Sequence, residues 1–339
     1  MRQLSDTPAG FQQQDALLGR NAYGAGLKAY NILANGIQTQ RNGCGRDDKL
    51  AKNIKSEVTV ENPGQASAAV EEDDKDIKNQ GSSLDKMLSI LDIFTPERPI
   101  CSTNDIIQFL GTSRSTGYRY IKSLHSVGLL GAVGNGYYVL GPRIIELDLQ
   151  IRGYDPLLQA CKGVLEELVE TTGQSALLCT LYSNSVLCIR ELRAPFSPEH
   201  LFSRGQKRSL FKGAMSKIIL AHLPAHRYRS IYHRNSQVIA ESNLGTTWKE
   251  FRDRLAQMRK EGIAVSHGEF LPGIVGVSAP IFNSENLILG SVGIACEESD
   301  LNDVGVKKAT VVVKRAGREI TRRIAATYQG IDLPPRAIG

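Results

Sequence analysis

A stretch of small polar and basic side chains between residues 113 and 122 has the composition of a nucleic-acid contact. Its hydroxyl, phenol and cationic groups belong to Ser113, Arg114, Ser115, Thr116, Tyr118, Arg119 and Lys122. Hydroxyl and guanidinium groups can form hydrogen bonds with base edges, and basic groups with a helix N-terminus can hold phosphates. The pattern favours a DNA-binding helix; the alternative is a solvated basic helix in a protein-interaction module.

The local charge pattern supports the same interpretation, although the net charge does not. The chain of 339 residues has a formal net charge of only +6. Residues 106–145 contain no Asp or Glu, whereas Arg114, Arg119, Lys122 and Arg143 all fall within them. A segment with charges of one sign suits a polyanion.

Helix signals place this stretch in the third of three predicted helices. Ser82 and Asp85 resemble a capping box. The first helix then shows an apolar face formed by Leu84, Met87, Leu88, Leu91 and Phe94. A second helix is predicted from Thr103, as its cap, to Leu110, with Gly111 just past its end.

The third predicted helix begins after only a two-residue gap. Ser113 is its expected cap, and Tyr120, Ile121 and Leu124 are its expected buried residues. Helix, glycine turn and helix together predict a helix-turn-helix. An Asn135-Gly136 pair between two apolar runs then predicts a β-hairpin, and a hairpin in this place is a wing with Asn135 at its tip.

The segment from Gly111 to Ile121 resembles the helix-turn-helix of IclR-type bacterial transcriptional regulators, to which Ser115, Thr116 and Arg119 match directly. Gly117 replaces the family's branched aliphatic residue, which removes a core contact and about 1 kcal/mol of helix propensity. Tyr118 replaces the usual His. The resemblance implies a sequence-specific regulator of DNA, a repressor or an activator, whose DNA affinity a small molecule controls.

The resemblance continues to about residue 327, through the segments around Gly213, Gly262 and Ser278. Together with alternating hairpins and helices, it implies an α+β chain whose C-terminal α/β effector-binding domain has an antiparallel, GAF/profilin-like sheet. By position, the family's effector contacts fall on Gly213, Ala214, Glu269, Ile274, Gly276, Gly293 and Ala295.

The domain organisation follows from these assignments. We predict a winged helix-turn-helix over residues 82–142, a linker helix over 143–155 and the effector-binding domain over 156–327. Residues 1–81 lack sustained apolar periodicity and are predicted to be a disordered extension, the alternative being a partner-binding arm. Residues 328–339 are predicted to be a flexible tail.

Charge near the effector segment predicts the ligand class. Residues 190–212 hold six basic side chains against Glu191 and Glu199. A helix that begins near Lys212 would offer free N–H groups to an anion. We therefore expect an organic acid, a carboxylate, while a solvated loop or a subunit contact remains the alternative use of these charges.

Other chemistry has weak signals. Pro224 separates His222 from His226, and neither a G-x-S-x-G elbow nor a phosphate-cradling glycine loop occurs, so we predict no catalytic site, metal or cofactor. Scattered cysteines without a CxxC pair and the absence of a signal or membrane segment predict a cytoplasmic protein. Two other functions stay open: an enzyme that uses His267 and Glu269 as acid and base, and a sensory module that acts through protein contacts alone.

A single winged helix spans few base pairs, so we predict a homodimer or dimer of dimers (a homotetramer) on a palindromic operator in double-stranded DNA. The first helix and the linker helix are the expected dimer contacts.

Overall fold

The computed structural model describes residues 82–195, 202–300 and 303–327. The extension predicted over 1–81 and the tail predicted over 328–339 lie outside the described residues.

The N-terminal part is a small helical unit with a wing. Its elements are α1 (Ser83–Leu88), which continues as a 3-10 turn (Ser89–Ile93), β1 (Cys101–Ser102), α2 (Thr103–Leu110), α3 (Arg114–Ser126), β2 (Leu130–Gly134) and β3 (Tyr137–Leu140). The strands form an antiparallel sheet in the order β1-β3-β2. Ile90, Ile106, Ile121, Leu124 and Leu130 are buried beneath it. This is the predicted winged helix-turn-helix, with β1 as an additional strand.

Local capping signals explain where these helices begin and end. The capping box of Ser82 and Asp85 is present, Gly111 adopts the left-handed conformation at φ 59°, and the Ser113 hydroxyl accepts a hydrogen bond from the Thr116 N–H. The predicted cap of α2 is wrong by one residue: Ser102 is extended there (φ −78°, ψ 160°) and shares a capping box with Asp105. The Thr103 hydroxyl instead donates to the Gly136 carbonyl at 2.9 Å, which fastens the wing to α2.

The predicted inward face of the first helix is also corrected. Leu84 is 64% exposed and Leu88 is 50% exposed, whereas Ile90 and Ile93 are buried. The reason is the change to 3-10 geometry after Leu88, since three residues per turn rotate positions 90 and 93 toward the core.

The C-terminal part begins with α4 (Arg143–Tyr154), which matches the predicted linker helix. The elements after it are α5 (Pro156–Ala160), α6 (Val164–Thr172), β4 (Ser175–Tyr182), β5 (Ser185–Leu192), β6 (Lys207–Ser209), α7 (Ala214–His222), α8 (Ala225–Arg234), α9 (Ser236–Ala240), α10 (Trp248–Glu261), β7 (Ala264–His267), β8 (Ile274–Phe282), β9 (Ile288–Glu297), a 3-10 turn (Glu298–Asp300) and α11 (Asp303–Thr327).

Six of these strands form one antiparallel sheet in the order β6-β5-β4-β9-β8-β7. Helices α7 and α10 pack on one face, and α5, α6 and α11 pack on the other. The strand register sets Ser266, Gly276 and Ala295 side by side across β7, β8 and β9, under the start of α7. The α+β fold with an antiparallel sheet is therefore the predicted one.

Candidate DNA interface and effector cavity

Helix α3 presents its cationic side chains to solvent. Arg114, Arg119 and Lys122 are exposed, as are Ser113 and Ser115, and Tyr118 is 55% exposed. In the part of the chain that the structure describes, none of the three cations forms an ion pair. Unpaired cations at the start of an exposed helix can contact phosphates or base edges without first breaking an internal bond.

The tip of the wing is a tight turn of the primed type. Asn135 and Gly136 have φ values of 47° and 75°, and both central residues of a type I′ turn need positive φ. Asn135 is exposed, so its side chain could contact the DNA backbone, or a DNA groove next to the one that α3 would enter.

Gly117 has a packing role that the sequence did not show. An added Cβ at this position would lie 2.5 Å from Cγ1 of Ile107. Glycine thus lets α3 approach α2 closely, and Ile107 occupies the space that an aliphatic residue at position 117 would fill.

A small cavity lies between the start of α7 and the sheet; we call it the helix–sheet cavity. Five of the seven predicted effector contacts line it: Gly213, Ala214, Ile274, Gly276 and Ala295. Its volume is about 70 Å³, well below the roughly 300–1,000 Å³ of small-molecule pockets, so a ligand requires side chains to move. A wider groove of about 810 Å³ beside α11 contains none of the predicted contacts.

The other two predicted contacts lie outside the cavity wall. Gly293 is covered by α7, because an added Cβ there would lie 2.9 Å from the Met215 sulfur and 2.2 Å from the Val277 carbonyl oxygen. Glu269 directs its carboxylate to the first turn of α7, where it accepts from the Gly213 N–H at 2.9 Å and from Lys217 Nζ at 2.5 Å.

This arrangement corrects the expectation of free N–H groups at the start of α7. Glu269 takes the Gly213 N–H, and the Ser266 hydroxyl takes the Ala214 N–H at 3.0 Å. The Lys217 and Glu269 side chains are only 4% and 11% exposed, and burial lowers the pKa of Lys217. Glu269 thus already supplies the negative charge that pairs with Lys217 at this helix end, and a ligand carboxylate would have to displace it.

Arg208, on β6, is a partly buried cation in the cavity lining. Its guanidinium carbon lies 3.2 Å from the ring centroid of Phe270 and 4.8 Å from that of Phe202, and both rings line the cavity. Its Nε is buried without a hydrogen-bond partner within the described ranges, while Nη2 donates to Gln206 Oε1 at 3.2 Å. Burial lowers the pKa of Arg208 to about 10, so the group stays charged at neutral pH.

Arg208, Phe270 and Lys217 belong to this region but were not predicted from the sequence. The signal for Arg208 was present in the basic segment 190–212, but its six cations look alike until the fold half-buries Arg190, Arg204 and Arg208 and pairs only the first two with carboxylates. Ser266 carried no local signal at all, because its contact with Ala214 spans 52 residues of chain.

An ion pair joins α4 to the segment that carries Arg208. Arg204 Nη2 lies 2.6 Å from Asp148 of α4, and Arg204 Nε donates to the Ile189 carbonyl at 2.7 Å. The hydrogen bond from Arg204 is the main reason that the pKa of Asp148 is lowered. Arg204 precedes Arg208 by four residues, so α4 is held by the segment that supplies the cavity's unpaired cation.

Within the described residues, no group of three or more His, Cys, Asp or Glu side chains could hold a metal ion. None of the described helices combines the length and the apolar character needed to cross a membrane.

Family models match both parts of the chain. Residues 83–133 match the IclR helix-turn-helix domain, and residues 154–322 match the C-terminal domain of bacterial transcriptional regulator IclR. The HTH-type transcriptional regulator KipR of Bacillus subtilis (strain 168) is 22% identical over 251 residues, which cover 74% of this chain and all of that protein.

Solved structures of the same family share the fold. An IclR transcriptional regulator from Alicyclobacillus acidocaldarius aligns with a TM-score of 0.63 and 23% identity, covering 73% of this chain and 100% of that one. An IclR homologue from Microbacterium hydrocarbonoxydans, solved in complex with 4-hydroxybenzoate, aligns with a TM-score of 0.57 and 19% identity over 72% and 99% of the two chains.

The matched families and relatives are transcriptional regulators and not enzymes. With a winged helix-turn-helix that exposes unpaired cations, and a second domain that encloses a cavity, the chain belongs to the IclR family of DNA-binding bacterial transcriptional regulators.

Proposed function

We propose that α3 and the wing bind an operator in double-stranded DNA and that a small organic acid in the helix–sheet cavity changes the affinity for that operator. The observation that carries the DNA half is the exposed, unpaired set of Arg114, Arg119 and Lys122 on α3. We assign Ser113, Ser115, Thr116, Tyr118 and Asn135 to the same interface. Transcription from the operator with and without the protein decides between a repressor and an activator.

The ligand half of the proposal rests on the cavity and on one relative. Gly213, Ala214, Ile274, Gly276 and Ala295 surround a space with a buried cation, which an anion would neutralise. The Microbacterium homologue binds 4-hydroxybenzoate, an organic acid, on the same fold. We propose that the division into residues 82–142, 143–155 and 156–327 separates the DNA-binding head, the linker helix and the ligand-binding domain.

We further propose that the chain acts as a symmetric dimer, or a dimer of dimers, on a palindromic site. Helices α1 and α4 expose large apolar side chains that a second copy would cover. They are Leu84, Leu88, Ile145, Leu149 and Tyr154, of which Ile145 is 74% and Tyr154 83% exposed. Exposed apolar patches mark protein interfaces, and we propose that these side chains contribute to one. Ligand binding would then shift the spacing of the two heads through the Asp148–Arg204 contact.

DNA binding to the region upstream of the protein's own gene, followed by fluorescence anisotropy over a series of salt concentrations, tests the proposal. We expect tight, sequence-preferring binding that weakens as salt increases. Arg119→Ala should weaken it by about 5- to 150-fold, as loss of a base contact of about 1–3 kcal/mol does. Arg252→Ala removes another exposed cation, which lies on α10 and pairs with Asp253, and should leave DNA binding unchanged.

Two results would count against the proposal. Binding no stronger than to nonspecific competitor DNA would shift the function toward a sensory module without DNA regulation. If Arg119→Ala weakened ligand binding as much as DNA binding, the assignment of α3 to a separate DNA-binding head would be wrong.

A further inference from the structure

We propose that Arg208 is the group that recognises the negative charge of the effector, and that the effector is a monocarboxylate with a flat apolar body. The inference rests on the proposed function of the helix–sheet cavity and specifies its ligand. It differs from the expectation drawn from the sequence, which placed the anion at the N-terminus of α7.

Two cations line the cavity, Arg208 and Lys212, and a third, Lys217, lies behind its wall on α7. Lys217 is paired with Glu269, whose oxygens accept from Lys217 Nζ and from the Gly213 N–H. Lys212 is exposed to water, so its contribution to anion binding is small. Arg208 is partly buried, and no carboxylate of the described residues forms an ion pair with it.

The side chains around Arg208 hold its guanidinium group in a position where it can bind an anion. Phe270 and Phe202 both lie within cation–π distance of it, and these contacts hold the position of the planar group. The enclosed Nε–H has no acceptor among the described residues. A carboxylate that pairs with Nε–H and a neighbouring N–H would satisfy this donor and neutralise a charge that stays protonated in proteins.

Charge and shape together define the ligand. One buried cation neutralises one negative charge, and a second negative charge would remain buried without a partner. The rest of the lining is largely apolar and includes Leu177, Ile274, Ile294 and Gly276. Lining side chains must move to admit a ligand, and a flat apolar body can then stack near the guanidinium as the rings of Phe202 and Phe270 do.

Calorimetric titration of the full chain with benzoate and with its uncharged counterpart benzamide tests the inference. We expect benzoate to bind the wild-type protein at least about 30-fold more tightly than benzamide. Arg208→Met should weaken benzoate binding by about 30-fold or more and leave benzamide binding unchanged. Lys212→Met removes the same charge at the exposed edge of the cavity and should change benzoate binding by less than about threefold.

Three outcomes would overturn the inference: equal binding of benzoate and benzamide, benzoate binding by Arg208→Met at the wild-type affinity, or a benzoate dissociation constant above about 10 mM. Arg208→Lys, which keeps the charge but loses the planar fork, should fall between wild type and Arg208→Met. The comparison of benzoate with benzamide needs no variant, so it stands even if Arg208→Met does not fold. Anisotropy measurements of DNA binding on the same samples distinguish this inference from the proposed DNA-binding function. If DNA binding is intact and benzoate does not bind, only the inference about Arg208 is rejected.

Discussion

Replacing Glu269 with glutamine would leave the ammonium group of Lys217 buried without an ionic partner. The Lys217 side chain is 4% exposed, and its Nζ lies 2.5 Å from Glu269 Oε1. Glutamine can still accept the hydrogen bond from the Gly213 N–H, so the change removes charge and little else. Breaking one side of a buried ion pair lowers the free energy of unfolding by about 3–5 kcal/mol.

Deprotonation of Lys217 sets an upper limit on this loss. The ordinary pKa of lysine is 10.5, and burial already lowers it here. At pH 7 the variant can release the proton at a cost of about 3.5 pKa units, which is about 5 kcal/mol at 1.36 kcal/mol per unit. At pH 9 the same limit falls to about 2 kcal/mol. Because the unfolded chain binds the proton more tightly than the folded variant, the stability of Glu269→Gln relative to wild type must rise with pH.

Urea unfolding followed by the fluorescence of Trp248 measures this loss. Trp248 is the only tryptophan and packs against Tyr228 and Tyr232, so its emission reports on the C-terminal domain. The double variant Lys217→Met/Glu269→Gln is the control, since it removes both charges and should be closer to wild type than Glu269→Gln alone. A loss below about 1 kcal/mol at pH 7, or a loss that does not shrink toward pH 9, would refute the structural role of Glu269. Glu269 would then be available as a direct effector contact.

Three further predictions follow from single contacts. Gly117→Ala should lower stability by up to about 2 kcal/mol, because a Cβ 2.5 Å from Ile107 costs more than the gain in helix propensity. Gly153→Ala, on α4 with no atom within 4 Å of the added Cβ, should raise stability by about 1 kcal/mol. Thermal unfolding in a calorimeter measures both changes. A loss for both, or a gain for both, would contradict this packing argument. Burial is the main reason that the pKa of His222 is lowered. Wild-type stability should therefore fall as pH drops below 6.5, because the unfolded chain takes up the proton there and the folded chain does not. Urea unfolding between pH 7.5 and 5.5 should show a smaller fall for His222→Gln. An identical fall in the two proteins would show that other groups cause it. Arg204→Gln removes the ion pair to Asp148. A bound effector typically changes the affinity for a second ligand by about 5- to 150-fold, and the variant should reduce this effect of a carboxylate on DNA affinity, while DNA alone and carboxylate alone bind as before. Anisotropy with and without benzoate measures the effect, and an unchanged effect would place the coupling elsewhere.

Elements whose hydrogen bonds close within a few residues were predictable from the sequence. Ser82 with Asp85, Ser113 with Thr116 and the left-handed Gly111 mark helix ends through contacts that span four residues or fewer. The Asn135-Gly136 turn depends only on its own backbone angles. Patterns of this kind predict elements well because the physical interaction and the sequence signal are both local.

The third helix and the strands of the C-terminal sheet were predictable for a related reason. Their apolar patterns extend over many residues, as in β4, where five consecutive residues from Ser175 to Cys179 are buried. Short elements without such a period, β1 and β6, were missed because they exist only through pairing with distant strands. The predicted apolar face of the first helix was wrong in part: Met87, Leu91 and Phe94 pack against the core, but Leu84 and Leu88 are exposed. Ile90 and Ile93 are buried instead, because the chain tightens into a 3-10 turn that the apolar pattern does not encode.

The pairing of charges in and around the cavity depends on contacts between residues far apart in the chain. The resemblance to relatives placed Gly213, Ala214 and Glu269 in one region, but it did not say that Glu269 would occupy the N-terminus of α7. That contact joins residues 56 apart in the chain. Arg208 likewise looks like its basic neighbours until Phe202 and Phe270 enclose it. Burial of a charge depends on everything packed around it, so the free energy that distinguishes a paired from an unpaired cation belongs to the folded chain and not to any segment of the sequence.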